Sequence, residues 1–372
     1  MAPPSRLVHF VVSLFVCAIA YKSSGVSLIF ISIINNARYT LLDSDLTFAD
    51  ASISFFLGLP RVFPYAQSWV HDNEEGRIQI NKDRKHFNSF VNNGFENKLI
   101  KLGMKEEKIQ IPSSNRDFPA MIDVYLYKSA EATRASTTPS ALYIWIHGGG
   151  FVYGEARDNL LLDGMPSCEG KDLIVASVEY RLPPEFRFPI PTDDTMDVLQ
   201  HFYDHASDYG IDRGKISIGG TSAGANLAAV LGQRARDAGI QLKFQMMLVP
   251  ALHLGCVTRS CLQNAHVPLL GAQEIVWFHN MYSNGFRDGI NPHYNPLMYG
   301  AACSESRAVN FAPALIVTAK KDALRDDGRD YVAYLNSTEC RVPVTHLEVP
   351  GTHWSIYQNT KVYLESLQQG IC

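Results

Sequence analysis

Several things are missing from this 372-residue sequence, and each absence excludes a class of protein. There is no internal period and no low-complexity tract, so it is neither a repeat array nor a linker-rich chain. Lys and Arg number 33 against 37 Asp and Glu, a net charge of −4, which gives no basic surface for nucleic acid. The seven cysteines are irregularly spaced and contain no C-x-x-C pair, which argues against zinc and thiol-exchange sites. No single apolar run reaches the roughly 20 residues that cross a bilayer.

The first 35 residues stand apart from the rest. Met1 to Arg6 is a short basic start, and Leu7 to Ala20 is apolar except at His9 and Ser13. Ala18-Ile19-Ala20 has the form of a signal-peptidase site, and a second apolar run, Val26 to Ile34, follows Gly25. A cleaved signal peptide, an uncleaved membrane anchor and a packed N-terminal helix all fit this stretch. The first two place the protein in the secretory pathway, in the endoplasmic reticulum membrane or secreted, and the third leaves it cytoplasmic. Cys17 falls in this leader, and the other six cysteines could pair in an oxidising compartment or remain buried thiols. Asn336-Ser337-Thr338 is a glycosylation sequon that would be used only on the secretory route.

From about Lys108 onward, short β-branched runs alternate with helix-like stretches. The runs are Met121 to Tyr127, Ala141 to Ile146, Leu173 to Val178, Lys215 to Ile218, Phe244 to Val249, Ala314 to Thr318 and Val344 to Val349. Helical candidates lie between them at Thr192 to Tyr209, Ala223 to Ala238, Asp326 to Leu335 and Ser355 to Gln368. Such alternation implies βαβ units, hence an α/β fold with a mainly parallel central sheet and helices on both faces. Residues 36–372 then form one domain after the 1–35 leader. Two regions break the pattern, residues 36 to about 105 and 252 to about 300. A structureless loop that long is unusual in a compact domain, so a helical cap is expected there. Phe55, Phe56, Trp277, Phe278 and Tyr282 would narrow the cleft beneath it.

Two glycine-rich stretches carry the chemistry. Gly220-Thr221-Ser222-Ala223-Gly224 lies between an expected strand and an expected helix, the setting of a nucleophile elbow that exposes a serine. No Gly-Lys-Ser/Thr follows it, which argues against a phosphate loop. His147-Gly148-Gly149-Gly150 ends the strand Ala141 to Ile146. A serine attacking a carbonyl builds charge on oxygen, and backbone N–H groups must meet that charge. Gly149, Gly150 and Ala223 are the expected oxyanion-hole donors, with glycine giving the substrate access to the backbone. The positive end of the helix dipole adds to the same place.

A serine nucleophile needs a base, and the base an orienting acid. His353 follows the last strand. Asp322 lies nearest the carboxyl end of the strand Ala314 to Thr318, whereas Asp326 would cap the following helix and Asp327 would sit in its first turn. The order Ser222, Asp322, His353 is that of the α/β-hydrolases. His147 would hold the glycine loop. His201 and His205, four apart on a helix without a third metal ligand, read as a solvated face, and His253 as a structural hydrogen bond.

His147-Gly148-Gly149-Gly150-Phe151, Tyr180-Arg181-Leu182-Pro183-Pro184-Glu185, Gly220-Thr221-Ser222-Ala223-Gly224, Asp322-Ala323-Leu324-Arg325-Asp326 and Gly351-Thr352-His353 together resemble the hormone-sensitive-lipase-like branch of the α/β-hydrolases. The resemblance covers the chain from about residue 108 to its end. It implies hydrolysis of small carboxylic esters, short to medium or aromatic and alicyclic. Ser222, Asp322 and His353 would be the triad, and no metal or cofactor would be needed. Arylacetamide deacetylases and fungal secondary-metabolism esterases share this layout, leader included. Thr221, Ala225 and Ala323 depart from the residues common in the branch, Asp, Gly and Pro. A non-catalytic small-molecule receptor on the same fold is the alternative, although such receptors lose the histidine that His353 supplies.

Overall fold

The computed structural model describes residues 74–129, 138–166, 172–253, 255–267, 270–299, 311–338 and 340–372. The leader, Cys17, Phe55, Phe56, Cys168 and Cys303 lie outside the described residues, as does most of the linker between Lys128 and Ser140.

Eight strands form one sheet: β1 (Met104–Pro112), β2 (Met121–Ser129), β3 (Ser140–Ile146), β4 (Leu173–Glu179), β5 (Ile211–Thr221), β6 (Phe244–Leu248), β7 (Ala314–Ala319) and β8 (Val344–Val349). Their order across the sheet is β1-β2-β4-β3-β5-β6-β7-β8. β2 pairs antiparallel with β1 and β4, and every other pairing is parallel. The inner parallel strands are buried on both faces, which is why β3 reads Ala-Leu-Tyr-Ile-Trp-Ile without polar alternation.

Among the described residues the helices are α1 (Glu74–Val91), α2 (Phe95–Lys101), α3 (Asn159–Asp163), α4 (Ile190–Asp204), α5 (Ala223–Asp237), α6 (Arg259–Gln263), α7 (Ala272–Tyr282), α8 (Arg325–Leu335) and α9 (Thr360–Ile371). Val198 and Phe202 of α4 join Leu227 and Leu231 of α5 against one face of the sheet. Leu160 of α3 joins Tyr363 and Leu367 of α9 against the other. The carboxyl ends of β3, β5, β7 and β8 therefore share one edge, and the loops leaving them converge there. Over that edge, Phe87 of α1 packs in one apolar cluster with Ile275 and Phe278 of α7 and with Tyr153 of the glycine loop.

Three expectations are corrected. β1 was missed: its sequence Met-Lys-Glu-Glu-Lys-Ile-Gln-Ile-Pro is largely solvent-facing, so no apolar run marks it. The stretch Thr192 to Tyr209 is not one helix, because α4 ends at Asp204 and a separate 3₁₀ turn covers Ala206–Tyr209. The last helical stretch likewise divides, with a 3₁₀ turn at His353–Gln358 before α9.

Candidate active site

Ser222 sits between β5 and α5 with φ 56° and ψ −117°, a conformation rare for a residue with a side chain. Its backbone is fixed by N–H donation to Leu248 O (2.8 Å), and its carbonyl accepts from Ala225 and Asn226, at 3.1 Å each. The turn needs its glycines: a Cβ on Gly224 would stand 2.1 Å from Ile146 O and 2.3 Å from His147 O. The elbow is thus wedged against the end of β3, where the glycine loop begins.

That loop turns on Gly149 and Gly150, with φ of 115° and 61°. Packing gives glycine a reason here beside substrate access. A Cβ on Gly149 would lie 2.2 Å from Tyr153 O, and one on Gly150 would lie 2.2 Å from the Phe278 ring. Gly149 is confined by the loop's own turn back at Tyr153, and Gly150 by Phe278 of α7. Gly148 is confined as well, since a Cβ there would lie 2.9 Å from Thr221 O and 3.3 Å from Ser222 Cβ. Among the described residues, no backbone carbonyl accepts from Gly149 or Gly150 N–H. Ala223 is the first residue of α5, where helix geometry provides no intrahelical acceptor.

His147 supports this loop. Its Nδ1 lies 2.8 Å from Gly148 O, and its ring stacks on Tyr180 at 4.3 Å. Tyr180 Oη donates to His147 O (3.0 Å). Burial pushes the imidazole down to about 4, so it is neutral near pH 7. The Tyr180-Arg181-Leu182-Pro183-Pro184-Glu185 motif continues the support. Arg181 pairs with the buried Asp194, and Glu185 accepts two bonds from Arg84 of α1, at 3.0 and 2.8 Å.

Asp322 and His353 are both buried, and His353 Nδ1 lies 2.7 Å from Asp322 Oδ2. The other carboxylate oxygen of Asp322 accepts Leu324 N–H at 2.9 Å. His353 opens the 3₁₀ turn after β8, where the side chain and backbone of Thr352 form a reciprocal cap with Ser355. Ser222, His353 and the three loop glycines line one cavity of about 50 Å³.

The acidic residues after β7 are distributed otherwise than expected. Leu324, not Asp326, occupies the cap position of α8. Asp326 instead accepts Ser260 N–H from α6 (2.8 Å). Burial would raise its pKa, but its pairing with Arg325 holds the carboxyl below the ordinary value. Asp327 is buried in the first turn of α8 and accepts Leu252 and His253 N–H at 2.9 and 2.8 Å. His253 reaches Asp330 at 3.1 Å and does not line the cavity. His201 bonds Tyr209 Oη (3.0 Å) and His205 faces Asp208 (3.2 Å), local contacts on either side of the α4 terminus.

Of the aromatic residues expected to narrow the cleft, only Phe278 among the described ones lines the cavity. Trp277 stacks on Tyr153, and Tyr282 is buried against Phe151. The walls are formed instead by Phe87, Trp354 and Tyr357, with Val249, Leu270 and Ile356. Sequence reasoning missed Trp354 and Tyr357, although a 3₁₀ turn starting at His353 carries them to the same edge. A polar side of the cavity, Asn92 with Glu155 at 2.7 Å and Asp158, was also missed.

Residues 143–358, more than half of the chain, match the family described as the α/β-hydrolase fold. An ethyl acetate hydrolase from Pseudomonas putida is 31% identical over 237 residues, covering 62% of this chain and 70% of its own. An arylacetamide deacetylase from Oryctolagus cuniculus is 27% identical over 303 residues, covering 64% and 76%. Among solved structures, a bacterial heroin esterase superposes with a TM-score of 0.68 at 24% identity, covering 79% of this chain and 92% of that one; at this identity the likeness speaks to the fold. The chain belongs to the α/β-hydrolase fold family, in its hormone-sensitive-lipase-like carboxylesterase branch.

Proposed function

We propose that the chain is a serine carboxylesterase in which Ser222, Asp322 and His353 are the triad and Gly149, Gly150 and Ala223 hold the oxyanion. The observation that carries this reading is the 2.7 Å contact between His353 and Asp322, opening on the same cavity as Ser222. His353 takes the Ser222 proton as the hydroxyl attacks the ester carbonyl, and it returns a proton to the departing alcohol. Water then attacks the acyl-enzyme with His353 again as base, releasing the carboxylic acid. Asp322 bonds Nδ1, which leaves Nε2 for the serine. The backbone N–H groups meet the charge of each tetrahedral intermediate, and one such donor is typically worth ~10²–10³ in turnover.

The acyl group is short, an acetyl group being the best candidate. Phe87, Phe278, Trp354 and Tyr357 wall the cavity beside Ser222, and such bulky rings narrow it against long acyl chains. The relatives named for ethyl acetate and for arylacetamide support the same size. In a series of p-nitrophenyl esters, kcat/KM should be highest at two to four acyl carbons. It should fall by roughly an order of magnitude or more by twelve carbons, since a tenfold loss needs only about 1.4 kcal/mol. Faster turnover of emulsified long-chain triglyceride than of the soluble short esters would overturn the assignment. In this reading α1, α6 and α7 form the cap over the cavity.

We also propose that the leader directs the chain into the secretory pathway, as a membrane anchor or a cleaved signal. Asn336 is exposed at the carboxyl end of α8, as a glycan acceptor must be. Disulfide bonding at Cys256, Cys261, Cys340 and Cys372 suits an oxidising lumen. Expressed in a eukaryotic cell, the protein should shift on glycosidase digestion, and Asn336→Gln should remove the shift. Retention in the pellet after a carbonate wash identifies the anchor, release identifies cleavage, and a cytosolic product without glycan overturns the proposal.

A further inference from the structure

We propose that the disulfide-closed turn bearing α6 clamps Asp322 in register with His353, with Ser260 as the positioning residue. The inference rests on the triad reading above and concerns what holds its acid in place.

The segment from Ala319 to Arg325 is folded on itself. Asp322 N–H donates to Ala319 O, Arg325 N–H to Asp322 O, and Leu324 N–H to the Asp322 carboxylate. These bonds set the local shape of the turn. The start of the turn is tied to β8 and the loop after it, by Lys320 N–H to Val349 O at 3.0 Å and Lys321 N–H to Gly351 O at 2.8 Å, while its far side, Asp322 to Asp326, must be held from elsewhere for the carboxylate to reach the imidazole.

The external fastening comes from α6. Ser260 Oγ donates to Ala323 O at 2.8 Å and accepts Asp326 N–H at 3.0 Å. Ser260 N–H donates to Asp326 Oδ2 at 2.8 Å, and Asn264 Nδ2 donates to Asp322 O at 3.1 Å. Ser260 and Asn264 are both buried, so water does not compete for these partners. Four bonds thus tie residues 322, 323 and 326 to one short helix and the Asn264 cap at its end.

A helix as short as Arg259–Gln263 has little stability of its own. The Cys256–Cys261 disulfide closes the turn across it, and Cys261 is buried in the same apolar cluster as Ala323 and Leu324. Disulfide stabilisation through chain entropy grows with the length of the loop closed, and here the two cysteines are only five apart. So short a ring adds less to global stability than a long one would. Its effect is to hold Ser260 against the acid turn.

The test compares Ser260→Ala, Ser260→Thr and the Cys256→Ser/Cys261→Ser double variant with the full-length wild type, on p-nitrophenyl acetate. Ser260→Ala and the double variant should lose kcat on the order of tenfold or more, with KM within about threefold. The thermal midpoint should move by only a few degrees, and Ser260→Thr, which keeps the hydroxyl, should recover most of the loss. A general packing defect would not produce that division between kcat and KM, nor that recovery. A raised KM at unchanged kcat, or unchanged kinetics in both damaging variants, overturns the clamp. Asp322→Asn measured in parallel separates the two readings. If it is harmless, the triad reading fails and the clamp with it; if it is damaging while the other variants are silent, the clamp alone fails.

Discussion

Ser222→Ala should lower turnover of a short ester on the order of 10⁶-fold, the scale seen when a serine hydrolase loses its nucleophile. The background that remains should come from binding and the oxyanion donors, which act without the hydroxyl. Fluorophosphonate labelling, in which the serine oxygen attacks phosphorus and expels fluoride, should disappear altogether. The fold should persist, because the contacts that fix the elbow use the Ser222 backbone: N–H to Leu248 O, and carbonyl from Ala225 and Asn226. Alanine can occupy the same strained φ as serine, so the thermal midpoint should stay within a few degrees of wild type. Labelling that persists at another serine would sink the assignment. A collapse of the fold would mean that the side chain, not the backbone, organises the turn.

The parallel half of the fold could be read in the sequence because burial on both faces leaves a continuous apolar run. β3, β4, β6 and β7 appear as such runs, displaced by only a few residues at their ends, while β5 shows one only in its second half and the edge strand β8, Val-Thr-His-Leu-Glu-Val, is read from its β-branched residues. β1 could not be read, since an edge strand with Lys105, Glu106, Glu107 and Lys108 carries its pairing in backbone hydrogen bonds that no side chain announces. The meeting of Ser222, Asp322 and His353 at one edge was legible for a related reason. Each follows a strand and precedes a helical turn, and in a parallel sheet that order alone brings the positions to one edge.

The walls of the cavity were less legible. Trp277, Phe278 and Tyr282 lie on the same helix, and which of them faces the site depends on where α7 rests. The structure turns Phe278 onto Gly150 and buries Tyr282 against Phe151. Sequence gives the helix, while the neighbours choose its face. Asp326 shows the same limit. An acidic residue near a helix start is the usual sign of a cap, yet here its carboxylate crosses to Ser260, 66 positions away in the chain.

Asp322→Asn and Asp326→Asn should give opposite outcomes, although the residues are four apart. Asp322 Oδ2 faces His353 Nδ1 at 2.7 Å, and its carboxylate can only accept, so Nδ1 must carry the proton and Nε2 is free to receive one from Ser222. An asparagine can present an N–H₂ group to Nδ1 instead, which favours the other tautomer and removes the charge that stabilises the imidazolium. Turnover should fall on the order of 10⁴-fold, as expected for loss of the orienting acid of a triad. Asp326 lies outside the cavity and bonds Ser260 N–H and the Arg325 guanidinium. Asparagine there keeps an oxygen for Ser260 but loses the charge beside Arg325, so kcat should stay within about tenfold. Folding stability should fall by about 1–3 kcal/mol, the usual cost of weakening a hydrogen bond to a charged group. Steady-state kinetics and urea unfolding on both variants decide the matter. A large loss of kcat in Asp326→Asn beside a nearly active Asp322→Asn would exchange their roles.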